Sequence, residues 1–474
     1  MTKDASRTSS SFYVLISVFF FWGFVAASNT VLIGLFKENF KLSQFQSQLV
    51  DWAFYTAYGI GALIYFIISI LTGDPLNKIG YKKGLICGLI VSAIGALGFI
   101  PAANLESFPL MLTSLFTVGL GFALQQIVAN PYVIALGSPE TGSHRISLAG
   151  GINSFGTTIG PLLVSYAIFG SINTNNIHIG IEGVKTPYLI LCIAFLLFAI
   201  LLGISKLPPV KNNEKIERDL GAFKFPQLVL GMLAIFVYVG VEVSIQSNLP
   251  QLMKQQEILG LDHTKTVHFI SLYWGCLMIG RWSGAITLFN LSGITKKIAL
   301  IAVPLIAYSV ILIVNYVKGN PIMDLVYFIP FIFILIGGFF ISKEKPALTM
   351  ILFSLMAACM MLIGLVSTGK LALYSFISGG LFCSIMWPCI FSLSIAGLGK
   401  YTNQGSSLLI MMIFGGGIIP PLQGLLSDNE NVGIHFSYIV PLICFLYLAF
   451  FGWKVKNILK SQGIDYDSAS SSGH

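Results

Sequence analysis

Five stretches of this 474-residue chain place amides, hydroxyls, aromatic rings and an acid at helical spacing inside runs that are otherwise apolar. Trp22, Asn29 and Thr30 stand seven and eight residues apart and share one broad face of a helix that repeats about every 3.6 residues. Gln126 and Asn130 are at i and i+4, as are Asn153 and Thr157, while Tyr238, Glu242 and Gln246 line one stripe. Tyr273 and Trp274 open a further apolar run. Amides offer paired donors and acceptors to vicinal hydroxyls, and an aromatic face suits the C–H face of a pyranose. Trp22, Asn29, Gln126, Asn153, Tyr238, Gln246 and Trp274 are therefore the candidate residues for holding a sugar-like ring.

Each assignment has a structural alternative. Amides in membrane helices also bridge neighbouring helices, an interaction of about 0.6 to 2 kcal/mol. Tryptophans near helix ends, here Trp274 and Trp387, also serve as interfacial anchors. Asn130 precedes Pro131, where its side chain satisfies backbone freed by the proline. Glu242 is the sharper case, because a carboxylate near the middle of a membrane helix costs roughly 2.5 to 3.5 kcal/mol. It is either hydrogen-bonded to a neighbouring helix or it binds an ion, a proton or a sodium. Asp51 is the second candidate for ion coupling, and Glu140 and Arg145 in "PETGSHR" are suited to a gating contact or to a solvated loop.

The elements that carry these residues follow from composition. Hydrophobic residues make up 55% of the chain, charged residues only 10%, and mean hydropathy is +0.83. Soluble domains carry roughly 25% charge, so this is an all-α polytopic membrane protein. Fourteen apolar segments are long enough to span, at roughly 20 residues per helix. With the N-terminus inside, nineteen Lys and Arg fall on inner connections and seven on outer ones, with Arg281 left within a helix. That bias is the positive-inside pattern, so the net charge of +8 needs no nucleic acid partner. Both termini are expected in the cytoplasm. The "VAAS" after the first apolar stretch imitates a signal cleavage site, but the apolar pattern continues past it, and the segment is read as a retained helix.

Charge and proline concentrate in the connection after the sixth segment. The expected organisation is an N-terminal six-helix bundle at 1–206, a cytoplasmic linker at 207–224, a C-terminal bundle at 225–460 and a polar tail at 461–474. An internal repeat supports the split: "SLAGGINSFGTTIGPL" aligns with "SLLIMMIFGGGIIPPL", pairing Ser147 with Ser407 and Gly156 with Gly416. Six plus six leaves two segments over. The surplus falls at about 298–342, whose runs hold few polar groups and are read as a lipid-facing peripheral pair. The seven cysteines all lie in apolar runs without a CxxC, which argues against disulfides and zinc and reads them as core residues.

The "GDPLNKIGYKKG" loop resembles the signature loop of the major facilitator superfamily, without that motif's usual internal arginine. "ANPYVIALGSPETGSHRISLAGGINSFGTTIGP", "YVGVEVSI", "YWGCLMIGRWSG" and the run from "GGLFCSIMWP" to "PPLQG" together resemble the fucose permease family of sugar symporters, especially its bacterial glucose/galactose transporter branch. The resemblance implies a major facilitator fold of two six-helix bundles plus an extra pair, fourteen transmembrane helices in all. It also implies uptake of a monosaccharide across a bacterial inner membrane, by a chain that usually works as a monomer. In the fucose permease, acids in the first and fourth helices are linked to proton coupling and sugar binding; the matching positions here are Thr30 and Gln126. Two amides that contact sugar there are replaced by Ala27 and Gly150, while Trp22 and Asn153 are kept. With those acids absent, Glu242 is the main group left to bind sodium or a proton. No cofactor or resident metal is expected. A proton-coupled carrier of fucose or an amino sugar and a membrane sugar sensor are the alternatives. An enzyme is disfavoured: "GLVSTGKL" fits GxxxxGK, but Leu371 replaces the Ser or Thr of a P-loop, and the flanks are membrane helices.

Overall fold

The computed structural model describes residues 8–42, 44–137, 141–169, 180–205, 207, 220–261, 266–289, 291, 293–429 and 431–464. Among these residues the regular elements are all helical. The first half carries α1 (Thr8–Asn39), α2 (Gln44–Thr72), α3 (Tyr81–Asn104), α4 (Phe108–Ala135), α5 (Gly142–Phe169) and α6 (Lys185–Ile204). The second carries α7 (Pro226–Lys254), α8 (Val267–Gly284), α9 (Gly293–Val317), α10 (Ile329–Ser342) and α11 (Pro346–Val366). It continues with α12 (Gly369–Cys383, resumed at Met386–Ile395), α13 (Thr402–Met411, resumed at Gly415–Ser427) and α14 (Ile439–Ser461).

Each of the fourteen expected segments is thus helical, and among the described residues twelve helices are long and apolar enough to cross a membrane. The two outside that set, α5 and α8, carry Arg145, Asn153 and Ser154, and His268 and Arg281 respectively. Large apolar side chains face outward along the spans, among them Ile64, Ile67 and Leu71 on α2 and Ile190, Leu197, Ile200 and Ile204 on α6. In water such a surface would aggregate; in a bilayer it is the lipid-facing shell, and the helices pair their own backbone groups. This is a multi-pass membrane protein.

Described residues of Met1–Ser138, Phe155–Lys224 and Leu398–Met411 form one compact unit, and those of Pro139–Ser154, Phe225–Gly397 and Met412–His474 form another. Residues 139–154 and 398–411 fall across the expected division at 206 and 225, and polar side chains bond each to the unit it lies in. Asn403 bonds to Asp74 and Tyr81 in the first unit, and Asn153 and Ser154 bond to Arg281 in the second. The repeat is visible inside each unit. A Cβ on Gly156 would stand 2.3 Å from the Phe20 carbonyl oxygen, and one on Gly415 would stand 2.0 Å from that of Phe236, so α1/α5 and α7/α13 make a similar close approach, in α13 one residue before the Gly416 that the sequence alignment pairs with Gly156.

Pro131 in α4 cannot donate to the Ile127 carbonyl. Ser406 Oγ does so at 2.9 Å, while Asn130 Nδ2 bonds to the Gln126 carbonyl at 2.9 Å. Asn130 is therefore structural as expected, but the freed carbonyl belongs to a different donor. Two further expectations are corrected. Cys87 and Cys359 are exposed, the other five cysteines are buried, and all seven are free thiols. The segment at 298–316 does have a buried face: Pro304, Ala307, Tyr308, Ile311 and Asn315 form a stripe at helical spacing.

Candidate functional site

In the first unit the polar side chains of the helix interior form a chain. Trp22, 5% exposed on α1, donates Nε1–H to Gln125 Oε1 at 3.0 Å. Gln125 Nε2 donates to Ser92 Oγ at 3.0 Å, and Ser92 Oγ donates to the Val118 carbonyl at 3.2 Å. Trp22 was read as a sugar-facing ring; its polar edge is held by a neighbouring helix. Phe19 lies against it with ring centroids 4.2 Å apart. Gln126 is half-buried and donates Nε2 to Tyr58 Oη at 3.2 Å. Asn29 is fully buried within α1. Thr30 and Asp51 lie in α1 and α2, with their side chains outside the described residues.

A charged cluster stands in the second unit. Glu242 on α7 and Arg281 on α8 face each other with Nη2 to Oε1 at 3.5 Å, their side chains 13% and 12% exposed. Arg281 Nη2 also reaches Tyr238 Oη at 3.5 Å, while Nη1 donates to Ser154 Oγ at 2.8 Å and to Asn153 Oδ1 at 3.4 Å. Tyr273 Oη donates to the Glu242 carbonyl at 2.6 Å, and Trp282 Nε1 donates to the Gly151 carbonyl at 3.3 Å. One guanidinium, with donors in a fixed fork, thus joins α5, α7 and α8. The cost of placing Glu242 among apolar residues is offset by a cation on the next helix. Gln246, one turn on, is half-buried, and Trp274 is half-buried beside Tyr273.

The residues at the helix ends divide in the same way. Glu140 lies outside the described residues. Arg145 is 7% exposed and donates Nη1 to Thr141 Oγ1 at 2.5 Å, so it is no solvated loop residue. Asp74 in the "GDPLNKIGYKKG" loop is 2% exposed and accepts from Tyr65 Oη, from Leu76 N at 2.9 Å and from Asn403 Nδ2 at 2.5 Å. Asn403 Oδ1 in turn accepts from Tyr81 Oη at 2.5 Å.

The structure therefore brings Asn153, Tyr238 and Glu242 together within one unit, and it sets Trp22 and Gln126 in the other, each with its own partners. Sequence reasoning missed Gln125, Asp74 and above all Arg281. The signal for Arg281 was present: it was the one basic residue that the loop count left inside a helix, and Glu242 was a buried acid without a partner. Both features called for the pairing. For Gln125 the i, i+4 face drawn through Gln126 and Asn130 passed over the neighbour that bonds to Trp22.

The geometry offers amide and hydroxyl groups in one unit and an ion pair in the other, with no group of three or more His, Cys, Asp or Glu able to hold a metal among the described residues. Comparison with known proteins agrees with a carrier architecture. The Major Facilitator Superfamily model matches residues 13–342. The glucose/galactose transporter of Brucella abortus is 33% identical over 456 residues, covering 95% of this chain and 96% of that protein. The L-fucose-proton symporter of Escherichia coli K12 is 28% identical over 475 residues, covering 95% and 94%. Among solved structures, FucP in the outward conformation superposes with a TM-score of 0.73 at 26% identity, over 95% of this chain and 99% of that one. The chain belongs to the Major Facilitator Superfamily, in the fucose permease branch that these relatives represent, a family of transporters and not of enzymes.

Proposed function

We propose that this protein is a symporter that takes up a monosaccharide such as glucose, galactose or a related hexose by alternating access, together with a sodium ion or a proton. The observation that carries the proposal is end-to-end similarity, over 95% of the chain, to proteins named as a glucose/galactose transporter and an L-fucose-proton symporter. Trp22, with its ring face free of its own hydrogen bond, Gln126 and Asn153 are the sugar-binding candidates, with Asn29, Tyr238, Gln246 and Trp274 beside them. Glu242 carries the coupling ion, and Asp51 is the reserve. A carboxylate whose contact to the Arg281 guanidinium is as long as 3.5 Å has oxygen lone pairs to offer a small cation or a proton. Fucose with a proton is the second reading, favoured by the L-fucose-proton symporter; the Thr30 and Gln126 replacements weigh against it.

In this reading α5 and α8 cross the membrane with the other twelve helices, since their charged and amide groups find partners inside the protein instead of facing lipid. Fourteen spans put both termini in the cytoplasm, and the chain works as a monomer. The chain is organised as bundles at 1–206 and 225–460 joined through 207–224, and Arg145 and Glu140 gate one end. Reporter fusions at Lys318 and Lys370 are expected to read outside, and those at Lys343 and Lys400 inside. Opposite signals at either pair would break the scheme.

The deciding experiment is counterflow of labelled glucose, galactose, fucose and N-acetylglucosamine in proteoliposomes, with and without sodium and across pH. One or two sugars should exchange, and a sodium or proton gradient should drive their accumulation. Sugar binding without any exchange would turn the reading towards a sensor.

A further inference from the structure

The helix pair α9 and α10, read from the sequence as an insertion, is attached to the charged site through α8. Ser271 and Gly275 lie one turn apart on α8, and Asn315 and Ile311 lie one turn apart on α9. Asn315 is fully buried and donates Nδ2 to Ser271 Oγ at 3.0 Å. A Cβ on Gly275 would stand 2.3 Å from Ile311 Cδ1, so any larger residue there must displace the Ile311 side chain. Asn320 Nδ2 donates to Asn315 Oδ1 at 2.9 Å, which fixes the amide from its other side.

Ion pairs fasten both ends of the pair. Lys296 Nζ meets Glu344 Oε1 at 2.5 Å beyond one end. Beyond the other, Asp324 takes Lys370 Nζ at 2.9 Å and lies 3.7 Å from His268 at the start of α8. Tyr374 Oη donates to the Asp324 carbonyl at 2.6 Å. Lipid-facing additions need none of these contacts.

Tyr273 of α8 bonds to the Glu242 backbone and Arg281 meets the Glu242 carboxylate. Helical geometry sets Tyr273 about 200° and Arg281 about 80° around the axis from Ser271. The same helix thus carries the seam with α9 and, on neighbouring and opposite faces, the contacts to Glu242. The Arg281 contacts at 3.4 to 3.5 Å sit at the limit of a hydrogen bond, where a displacement of a few tenths of an ångström makes or breaks them.

We infer that Asn315 and Ile311 are positioning residues for the Glu242–Arg281 pair, so that α9 and α10 are a working part of ion coupling. The inference rests on Glu242 being the coupling group. With Asn315 on Ser271 and Ile311 against Gly275, α8 keeps one distance from α9, and Arg281 keeps one distance from Glu242. The strength of their pairing sets how readily a cation or proton takes the carboxylate.

The test is ion dependence in proteoliposomes loaded with labelled glucose or galactose. Gly275→Ala drives a methyl into the Ile311 side chain at the α8/α9 seam, and Ser271→Ala removes the Asn315 bond without adding bulk. Each is expected to shift the half-saturating sodium concentration, or the pH midpoint if uptake follows protons, by about tenfold or about one pH unit, the same factor in affinity. Purified yield should stay at the parent level. Adding Ile311→Ala to Gly275→Ala makes room for the new methyl and should return the ion dependence to within about threefold of the parent. A general loss of stability would lower yield and every transport mode together and would not be undone in this way.

Parental ion dependence in Ser271→Ala and Asn315→Leu, whether or not Gly275→Ala inserts, would overturn the inference. The two proposals separate on Glu242→Gln. If that variant still concentrates sugar, the coupling assignment is wrong; if it cannot, and the α8/α9 variants are silent, only the positioning role falls.

Discussion

The Trp22 cluster and the Glu242 cluster solve the same problem, polar groups inside an apolar bundle, with opposite means. Around Trp22 every member is neutral: an indole, the amide of Gln125, the hydroxyl of Ser92 and a backbone carbonyl. Around Glu242 two full charges face each other and borrow hydroxyls and an amide from three helices. A neutral bond contributes about 1 kcal/mol net and can be exchanged for a sugar hydroxyl at little cost. A buried charge can be released only when another charge takes its place. On the proposed reading, the neutral cluster suits the sugar and the charged cluster suits the ion.

The largest expected effect tests the charged side of that comparison. Arg281→Gln leaves Glu242 without its cation, and breaking a buried pair from one side costs about 3 kcal/mol or more. The detergent-purified variant should melt well below the parent, and Glu242→Gln added to it should recover most of the loss. If Arg281→Gln melts with the parent, the pair is an incidental contact and the comparison fails.

Glu242→Gln alone removes one charge and keeps the shape. It should retain sugar exchange, which needs only the alternating motion, and lose uphill accumulation, which needs the ion. Uptake to a level above equilibrium under the same ion gradient would reassign coupling, with Asp51 the next group to replace.

Effects on the neutral side should be smaller and confined to sugar. Gln125→Ala strips Trp22 and Ser92 of a shared partner and is expected to weaken sugar binding about tenfold, or about 1.4 kcal/mol, with unchanged ion dependence. Trp22, Gln126, Asn153 and Gln246 replaced singly by Ala should each weaken binding several-fold while the protein purifies normally. Asn153 sharpens the contrast, because it also accepts from Arg281: its variant alone should move both sugar affinity and ion dependence. Binding curves for all four that overlay the parent would mean that the recognition surface lies on other helix faces.

How much of this was legible in the sequence depends on what each feature needs. The helices were readable segment by segment, since an apolar run of sufficient length is itself the cause of a span. Glu242 was readable as an anomaly for the same reason. Its partner was marked only as a lone cation inside a helix, because Arg281 lies 39 positions away and the geometry of the pairing is a property of how α7 meets α8. Gln125 and Gln126 are neighbours in sequence, and a wheel drawn for one helix cannot say which of them meets Trp22. The 298–316 run looked featureless because its buried stripe is mostly apolar; one asparagine distinguishes the face that meets α8 from the face that meets lipid. The exchange of 398–411 and 139–154 between units likewise depends on tertiary partners such as Asp74 for Asn403 and has no local signature.

The smallest expected effect uses that same helix to mark where the charged site stops. Ser309 is exposed on α9, and its hydroxyl returns to the Leu305 carbonyl at 2.9 Å, one turn back on its own helix. Such a bond satisfies the serine without tying α9 to anything else. Ser309 lies two residues before Ile311, about 200° around the axis from the side that packs on Gly275. Ser309→Ala should therefore leave both sugar affinity and ion dependence within about threefold of the parent, a change of about 0.7 kcal/mol. Saturation curves for sugar at fixed sodium, and for sodium at fixed sugar, measure both in one preparation. A tenfold change in the ion curve would mean that the outward side of α9 also reaches the charged cluster, and the support for Arg281 would then have to be sought across the whole helix and not along the seam with α8.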